Sequence, residues 1–260
     1  MADIIAVLGA PGSGQTTVAT KLAVEIYTAL KNVSVCIVSM DYQAPSIGVL
    51  FPNKRTSEIA SAAALLDKTD MTPENVLKAI VLVPGFNNFG CIGLKAGENK
   101  YSYPIPDKRK IESLFNVLQR EFDFIIVDYA YGEELSKYGL TNADRVVRVL
   151  SPDVKSITWL TSNKNLVLDS DPRLINVVNI TDKDSCIPTE EVCTHLKNSA
   201  TVLPYSKLIR QQTLDGELWA PRKEKTFAKK IRILMDRALD TSGKGRDSRA
   251  EEIDESGFGS

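Results

Sequence analysis

The sequence predicts an α/β protein: a single doubly wound, mostly parallel sheet with helices on both faces. Three observations predict it. Short apolar runs rich in Val and Ile alternate with longer stretches of helical period, the pattern of repeated βα units. Several runs are apolar almost throughout, as expected of strands covered on both faces. The first run ends in a glycine-rich turn that leads straight into a helical pattern.

In chain order, the expected strands are residues 4–8, 34–40, 80–83, 124–127, 145–150, 174–180 and 201–203. Between them, Leu22, Ala23, Ile26 and Leu30 mark one helix, and Ile111, Leu114, Phe115, Leu118 and Phe122 another, at steps of three and four residues. Residues 84–107, with Pro84-Gly85-Phe86-Asn87-Asn88, carry many glycines, prolines and polar residues and read as one long loop. Residues 189–197 look helical and carry the one histidine, His195, as a surface residue.

The last helix, about residues 223–240, has Phe227, Ile231, Leu234 and Ala238 on one stripe. Arg222, Lys223, Lys225, Lys229, Lys230, Arg232 and Arg237 surround it. Such a basic amphipathic helix also suits a membrane or DNA; the expectation here is that the stripe docks on the sheet and the charges are solvated. Residues 1–240 are read as one domain, and 241–260 as a disordered polar tail with too little apolar residue to fold.

With 260 residues, 43% hydrophobic and 25% charged, the chain is long enough for a full core. Its 32 basic and 33 acidic residues leave a net charge of -1, so no global field favours nucleic acid or an anionic membrane. A targeting pattern and an apolar stretch of bilayer length are both missing, so a cytoplasmic protein is expected. Cys36, Cys91, Cys186 and Cys193 show no CxxC spacing and read as inert thiols. The alternative for the cysteines, a metal or iron-sulfur role, rests mainly on Gly90-Cys91-Ile92-Gly93, which faintly resembles the cluster-ligating loop of nitrogenase iron protein.

The chemistry concentrates in Gly9-Ala10-Pro11-Gly12-Ser13-Gly14-Gln15-Thr16-Thr17, placed between a strand and a helix as in a P-loop. Glycines let consecutive backbone N–H groups turn inward around a phosphate, and the helix start adds its positive dipole end. Thr16 stands where a hydroxyl ligates magnesium, and Thr17 where one reaches the α-phosphate. Asp41 follows the second strand, and Asp128 ends the apolar run Phe124-Ile125-Ile126-Val127. Two carboxylates at the C-terminal ends of neighbouring strands lie on the edge where open α/β sheets bind ligands, and an apolar run closed by Asp is the Walker B pattern.

The run from Phe122 to Gly132 resembles the MinD/ParA family of P-loop ATPases. The likeness continues through Ala143-Asp144-Arg145-Val146-Val147, Ser151-Pro152-Asp153, Val177-Val178-Asn179, Leu203-Pro204-Tyr205-Ser206 and Leu214-Asp215-Gly216. It implies ATP or ADP with Mg2+ as ligands. It makes Asp41 the residue that places the attacking water, Asp128 the magnesium-holding carboxylate and Asn179 the reader of adenine, with Pro204 and Tyr205 lining the base. Thr16, Asp41 and Asp128 are the implied metal set. A homodimer and a protein partner of an assembly or partition system are implied as well. Nothing in the sequence points strongly to nucleic acid or membrane.

The departures are specific. The family's loop carries one lysine after its first glycine and a second before its threonine, and here Ala10 and Gln15 stand in those places. Ser39 and Ser206 replace acidic residues. Exchanging a charge-assisted bond for a neutral one weakens binding by roughly ten- to a hundredfold. Losing a donor aimed at transition-state charge slows chemistry by about a hundred- to a thousandfold. The expectation is therefore ATP binding with slow or absent hydrolysis. Within the family, the TadZ/CpaE proteins of pilus and secretion systems also have atypical loops, and the chain resembles that subgroup in this respect. Two other readings stand beside it: an active ATPase or small-molecule kinase, and an interaction module that binds no nucleotide.

Overall fold

A computed structural model describes residues 2–51, 54, 58–103, 106–180, 187–196, 199–221 and 224–240. The expected tail, Cys186, Arg222 and Lys223 lie outside the described residues. Its strands are β1 (Asp3–Gly9), β2 (Val35–Ser39), β3 (Val81–Leu82), β4 (Phe89–Gly93), β5 (Phe124–Asp128), β6 (Arg145–Leu150), β7 (Leu174–Asn179) and β8 (Thr201–Leu203). They form one sheet in the order β3-β4-β2-β5-β1-β6-β7-β8, parallel except for the short β3–β4 pair at one edge. The expected fold class is the observed one.

Each central strand alternates its side chains between two apolar layers. Ile5 and Val7 of β1, with Phe124 and Ile126 of β5, face one layer; Ile4, Ala6 and Leu8, with Ile125 and Val127, face the other. The first layer is covered by α1 (Gln15–Ala29), α2 (Ile47–Leu50), α9 (Lys207–Asp215) and α10 (Lys225–Leu239). The opposite layer holds α3 (Ala62–Asp67), α4 (Pro73–Lys78), α5 (Lys108–Glu121) and α6 (Glu134–Thr141). A smaller apolar cluster lies under α7 (Val154–Asn163) and α8 (Thr189–His195), where Ala10, Leu150, Val178, Val192 and Leu196 meet. The stripe of α10, Phe227, Ile231, Leu234 and Ala238, is buried in the first layer as expected, joined by Met235. His195 is on the exposed side of α8.

The expected long loop at 84–107 is corrected. Its residues Phe89–Gly93 form β4, fully buried and paired in parallel with β2 from Val35↔Phe89 to Ser39↔Gly93. Glycine hid it, because Gly90 and Gly93 remove the β-branched signal of a strand. They are there for space. A Cβ at Gly90 would meet Ile80 Cγ2 at 2.3 Å, and one at Gly93 would meet the Ser39 carbonyl oxygen at 2.2 Å. Cys91 is consequently a buried strand residue whose thiol burial pushes well up, and no group of three or more His, Cys, Asp or Glu placed to hold a metal occurs among the described residues.

Candidate functional site

The expected site residues lie at or just past the C-terminal ends of β1, β2, β5, β7 and β8. Parallel pairing sets Val7 of β1 beside Asp128 of β5, and Ser39 of β2 beside Asp128 from the other side. The chain leaves β1 at Gly9, turns through residues 10–14 and starts α1 at Gln15. Two glycines hold the turn in the left-handed region, Gly12 at φ 84° and Gly14 at φ 78°. Gly9 has no room for a side chain, since a Cβ there would lie 2.4 Å from the Val149 carbonyl oxygen. Gly14 is the N-cap residue of α1 and offers it no side-chain cap, and the first turn holds no acidic residue. The first N–H groups of this 15-residue helix thus receive no side-chain cap from Gly14, at the end of the helix where the dipole is positive.

Asp128 is the hub, and it is buried. Its Oδ1 accepts from Gln15 Nε2 at 2.7 Å, and its Oδ2 accepts from Thr16 Oγ1 at 2.8 Å. Ser39 Oγ donates to Oδ2 at 3.4 Å and lies 2.7 Å from Ser46 Oγ. The second N–H of the Gln15 amide reaches the Tyr129 carbonyl oxygen at 2.7 Å. Burial pushes the Asp128 carboxyl up to about 6, although the bonds from Thr16, Gln15 and Ser39 pull it down; nearby Asp41 adds to the rise. Glu133 is raised as well, by burial and then by Asp41.

Asp41 sits just past β2, where its Oδ1 accepts from the backbone N–H groups of Gln43 and Ala44 at 2.8 and 3.0 Å. One carboxylate oxygen is therefore occupied in shaping its own turn. Thr17 is half-buried on α1, Pro11 and Gly12 are exposed at the tip of the loop, and Ser13 is buried with its Oγ lacking a hydrogen-bond partner among the described residues. Ala10 is buried in the small apolar cluster, only 1% exposed. Asn179 ends β7, and its Nδ2 donates to the Ser13 carbonyl oxygen at 2.9 Å, tying that strand end to the loop. Pro204 and Tyr205 are half-buried immediately after β8, which pairs Leu203 with Asn179. Ser206 then caps α9 by accepting from Ile209 N at 3.1 Å and donates to Glu224 Oε2.

Sequence reasoning did not find the Gln15 amide as a partner of Asp128, nor the Ser39–Ser46 pair behind it. Gln15 and Ser39 lie 113 and 89 residues from Asp128 in the chain. Ser39, polar at the end of an apolar strand, was the available signal.

A hydroxyl and a carboxylate 2.8 Å apart at a helix start form a hard oxygen donor set. That set fits a magnesium ion accompanying a phosphate.

No protein-family model matches the chain, and no curated protein matches it in sequence. Solved structures do resemble it. A ParA family ATPase from Chlorobium tepidum TLS aligns over 92% of this chain and 98% of its own, with a TM-score of 0.71 and 16% identity. The septum site-determining protein MinD from Pyrococcus horikoshii, complexed with Mg-ADP, aligns over 94% and 98%, with a TM-score of 0.68 and 20% identity. A putative plasmid partition protein from Borrelia burgdorferi, bound to AMPPNP, aligns over 92% and 99%, with a TM-score of 0.67 and 17% identity. The chain has the fold of the MinD and ParA P-loop ATPases.

Proposed function

We propose that this protein binds ATP or ADP with magnesium over residues 9–17 and hydrolyses ATP slowly or not at all. It would act in the cytoplasm, as a homodimer with a protein partner, in localisation, assembly or partition. The observation that carries the reading is the uncapped start of α1 behind a glycine-constrained loop, with Thr16 Oγ1 and Asp128 Oδ2 2.8 Å apart beside it. Structural neighbours bound to Mg-ADP and to AMPPNP support the choice of ligand.

In this reading the backbone N–H groups of the loop and of the first turn of α1 bind phosphate, and Thr16 and Asp128 hold the magnesium. When bound, the ion neutralises phosphate charge. Gln15 orients Asp128 through its amide, a neutral task that leaves position 15 without a cation for the phosphates. Each lost charge-directed donor costs about a hundred- to a thousandfold in rate, and positions 10 and 15 both lack one, so turnover is slow. Asp41 keeps one carboxylate oxygen for a water, and Asn179, Pro204 and Tyr205 line the base side. Residues 1–240 make up the domain that does this. The neutral loop favours a pilus or secretion assembly role of the TadZ/CpaE kind over a fast partition ATPase.

One observation favours a second reading, an interaction module without nucleotide: Asp128 already has its oxygens engaged by Gln15 and Thr16, and Ala10 is packed as core. A fluorescent ATP analogue, titrated with and without magnesium, separates the readings. Saturable, magnesium-dependent binding without turnover supports the proposal. Turnover at an ordinary ATPase rate makes it an enzyme, and the absence of binding at millimolar analogue leaves the module.

A further inference from the structure

A buried cation links the two sides of the site by a route that avoids the ligand. Lys21, on α1 and 6% exposed, donates from Nζ to Gln212 Oε1 at 2.6 Å and to the Ala220 carbonyl oxygen at 3.1 Å. Gln212 Nε2 donates to the same Ala220 oxygen at 3.3 Å. The neighbouring residue, Trp219, reaches the other way: its Nε1 donates to the Leu50 carbonyl oxygen at 3.1 Å, at the end of α2 where helix carbonyls lack intrahelical partners. Between Gln212 and Trp219, Leu218 is 1% exposed and Glu217 N donates to the Gln212 carbonyl oxygen at 2.8 Å, so the segment is packed and braced.

The path closes on itself. Leu50 N donates to the Ser46 carbonyl oxygen at 3.0 Å, Ser46 Oγ lies 2.7 Å from Ser39 Oγ, and Ser39 Oγ donates to Asp128. Asp128 is bonded in turn to Gln15 and Thr16 at the start of the helix that carries Lys21. A charge this buried is costly to leave partly bonded. Lys21 thus ties α1 to both ends of residues 212–220.

We propose that residues 216–220 form a strut between the phosphate-loop helix and the segment 41–50, so that an event at one is felt at the other. The identity of the ligand rests on the nucleotide reading above; the mechanical link does not. Lys21 and Trp219 are positioning residues in it.

Hydrogen exchange of the full chain, read by mass spectrometry without ligand, tests the strut. Lys21→Met keeps the length of the side chain and removes the donors. It is expected to speed exchange roughly tenfold at residues 216–220 and also at residues 46–51, to which Lys21 Nζ donates no hydrogen bond among the described residues, while β5 and β6 stay unchanged. Acceleration confined to residues 209–220 overturns the strut. Where Lys21→Met does not fold, Trp219→Phe serves, since it keeps a ring and loses the N–H; faster exchange of the Val18 amide in the first turn of α1 supports the strut, and an unchanged Val18 overturns it. Adding Mg-ATP separates the two proposals. If calorimetry finds binding, residues 46–51 gain protection in the parent and not in Lys21→Met; loss of that contrast counts against the strut. If the parent binds no nucleotide, the functional reading fails and the ligand-free comparison still decides the strut.

Discussion

The two ends of the phosphate loop carry the two positions where a lysine is missing, and the structure treats them in opposite ways. At the β1 end, Ala10 is core: 1% exposed and packed with Leu150, Val178, Val192 and Leu196. At the α1 end, Gln15 is polar and employed, giving one N–H to Asp128 and one to the Tyr129 carbonyl oxygen. The same kind of change in sequence thus has two physical meanings. Position 15 keeps a donor and loses only charge, whereas position 10 has exchanged a polar role for an apolar one. Restoring a lysine should help at 15 and harm at 10.

The largest effect is expected from Ala10→Lys. Burying an ammonium among aliphatic side chains without a partner destabilises by at least about 2 kcal/mol. Urea denaturation should show the midpoint falling; an unchanged midpoint would mean that the cluster beside the loop opens freely, and the contrast between the two ends would collapse.

Asp128 sharpens the polar end through pH. Its folded carboxyl is raised from 3.8 to about 6, so the native state binds the proton more tightly than the unfolded chain. Stability from this group is complete below pH 3.8 and is lost as pH rises through about 6. A rise of that size corresponds to about 3 kcal/mol at most. Asp128→Asn should therefore be more stable than the parent at pH 8 by about 2 kcal/mol, with the gap closing toward pH 4. Denaturation at both values checks this, and a gap independent of pH would assign the gain to packing alone.

Gln15→Lys is expected to have the smallest effect of the three on the free energy. Supplying a point charge at the start of α1 should tighten Mg-ATP binding by roughly tenfold, about 1.4 kcal/mol. Little change in folding stability is expected, because lysine is a good helix former. Weaker binding would show that the Gln15 amide bridge to Tyr129 matters more than charge.

How much of this was legible depends on how local the information is. The parallel sheet was readable because apolar runs such as Ile4 to Leu8 and Phe124 to Val127 state their two-sided burial residue by residue. β4 was not, because the same close packing that makes it a strand requires Gly90 and Gly93, which read as loop. The loop and Asp128 were readable from composition and order alone. The environments of Ala10 and Gln15 were not, since what surrounds them comes from β6, β7, α8 and the end of β5. Lys21 and Trp219 escaped for the same reason: a lysine one helical turn before Glu25 looks like an ordinary surface residue until Gln212 and Ala220 are brought to it.

The central claim, that a loop without lysine still binds nucleotide through its backbone and Thr16, is tested most directly by calorimetric titration of ATP into the full chain. The titration is run with and without magnesium, on the parent and on Thr16→Ala. The account predicts binding in the micromolar range or weaker that requires magnesium and is lost in Thr16→Ala. An absence of heat at millimolar ATP, with Thr16→Ala indistinguishable from the parent, would contradict it.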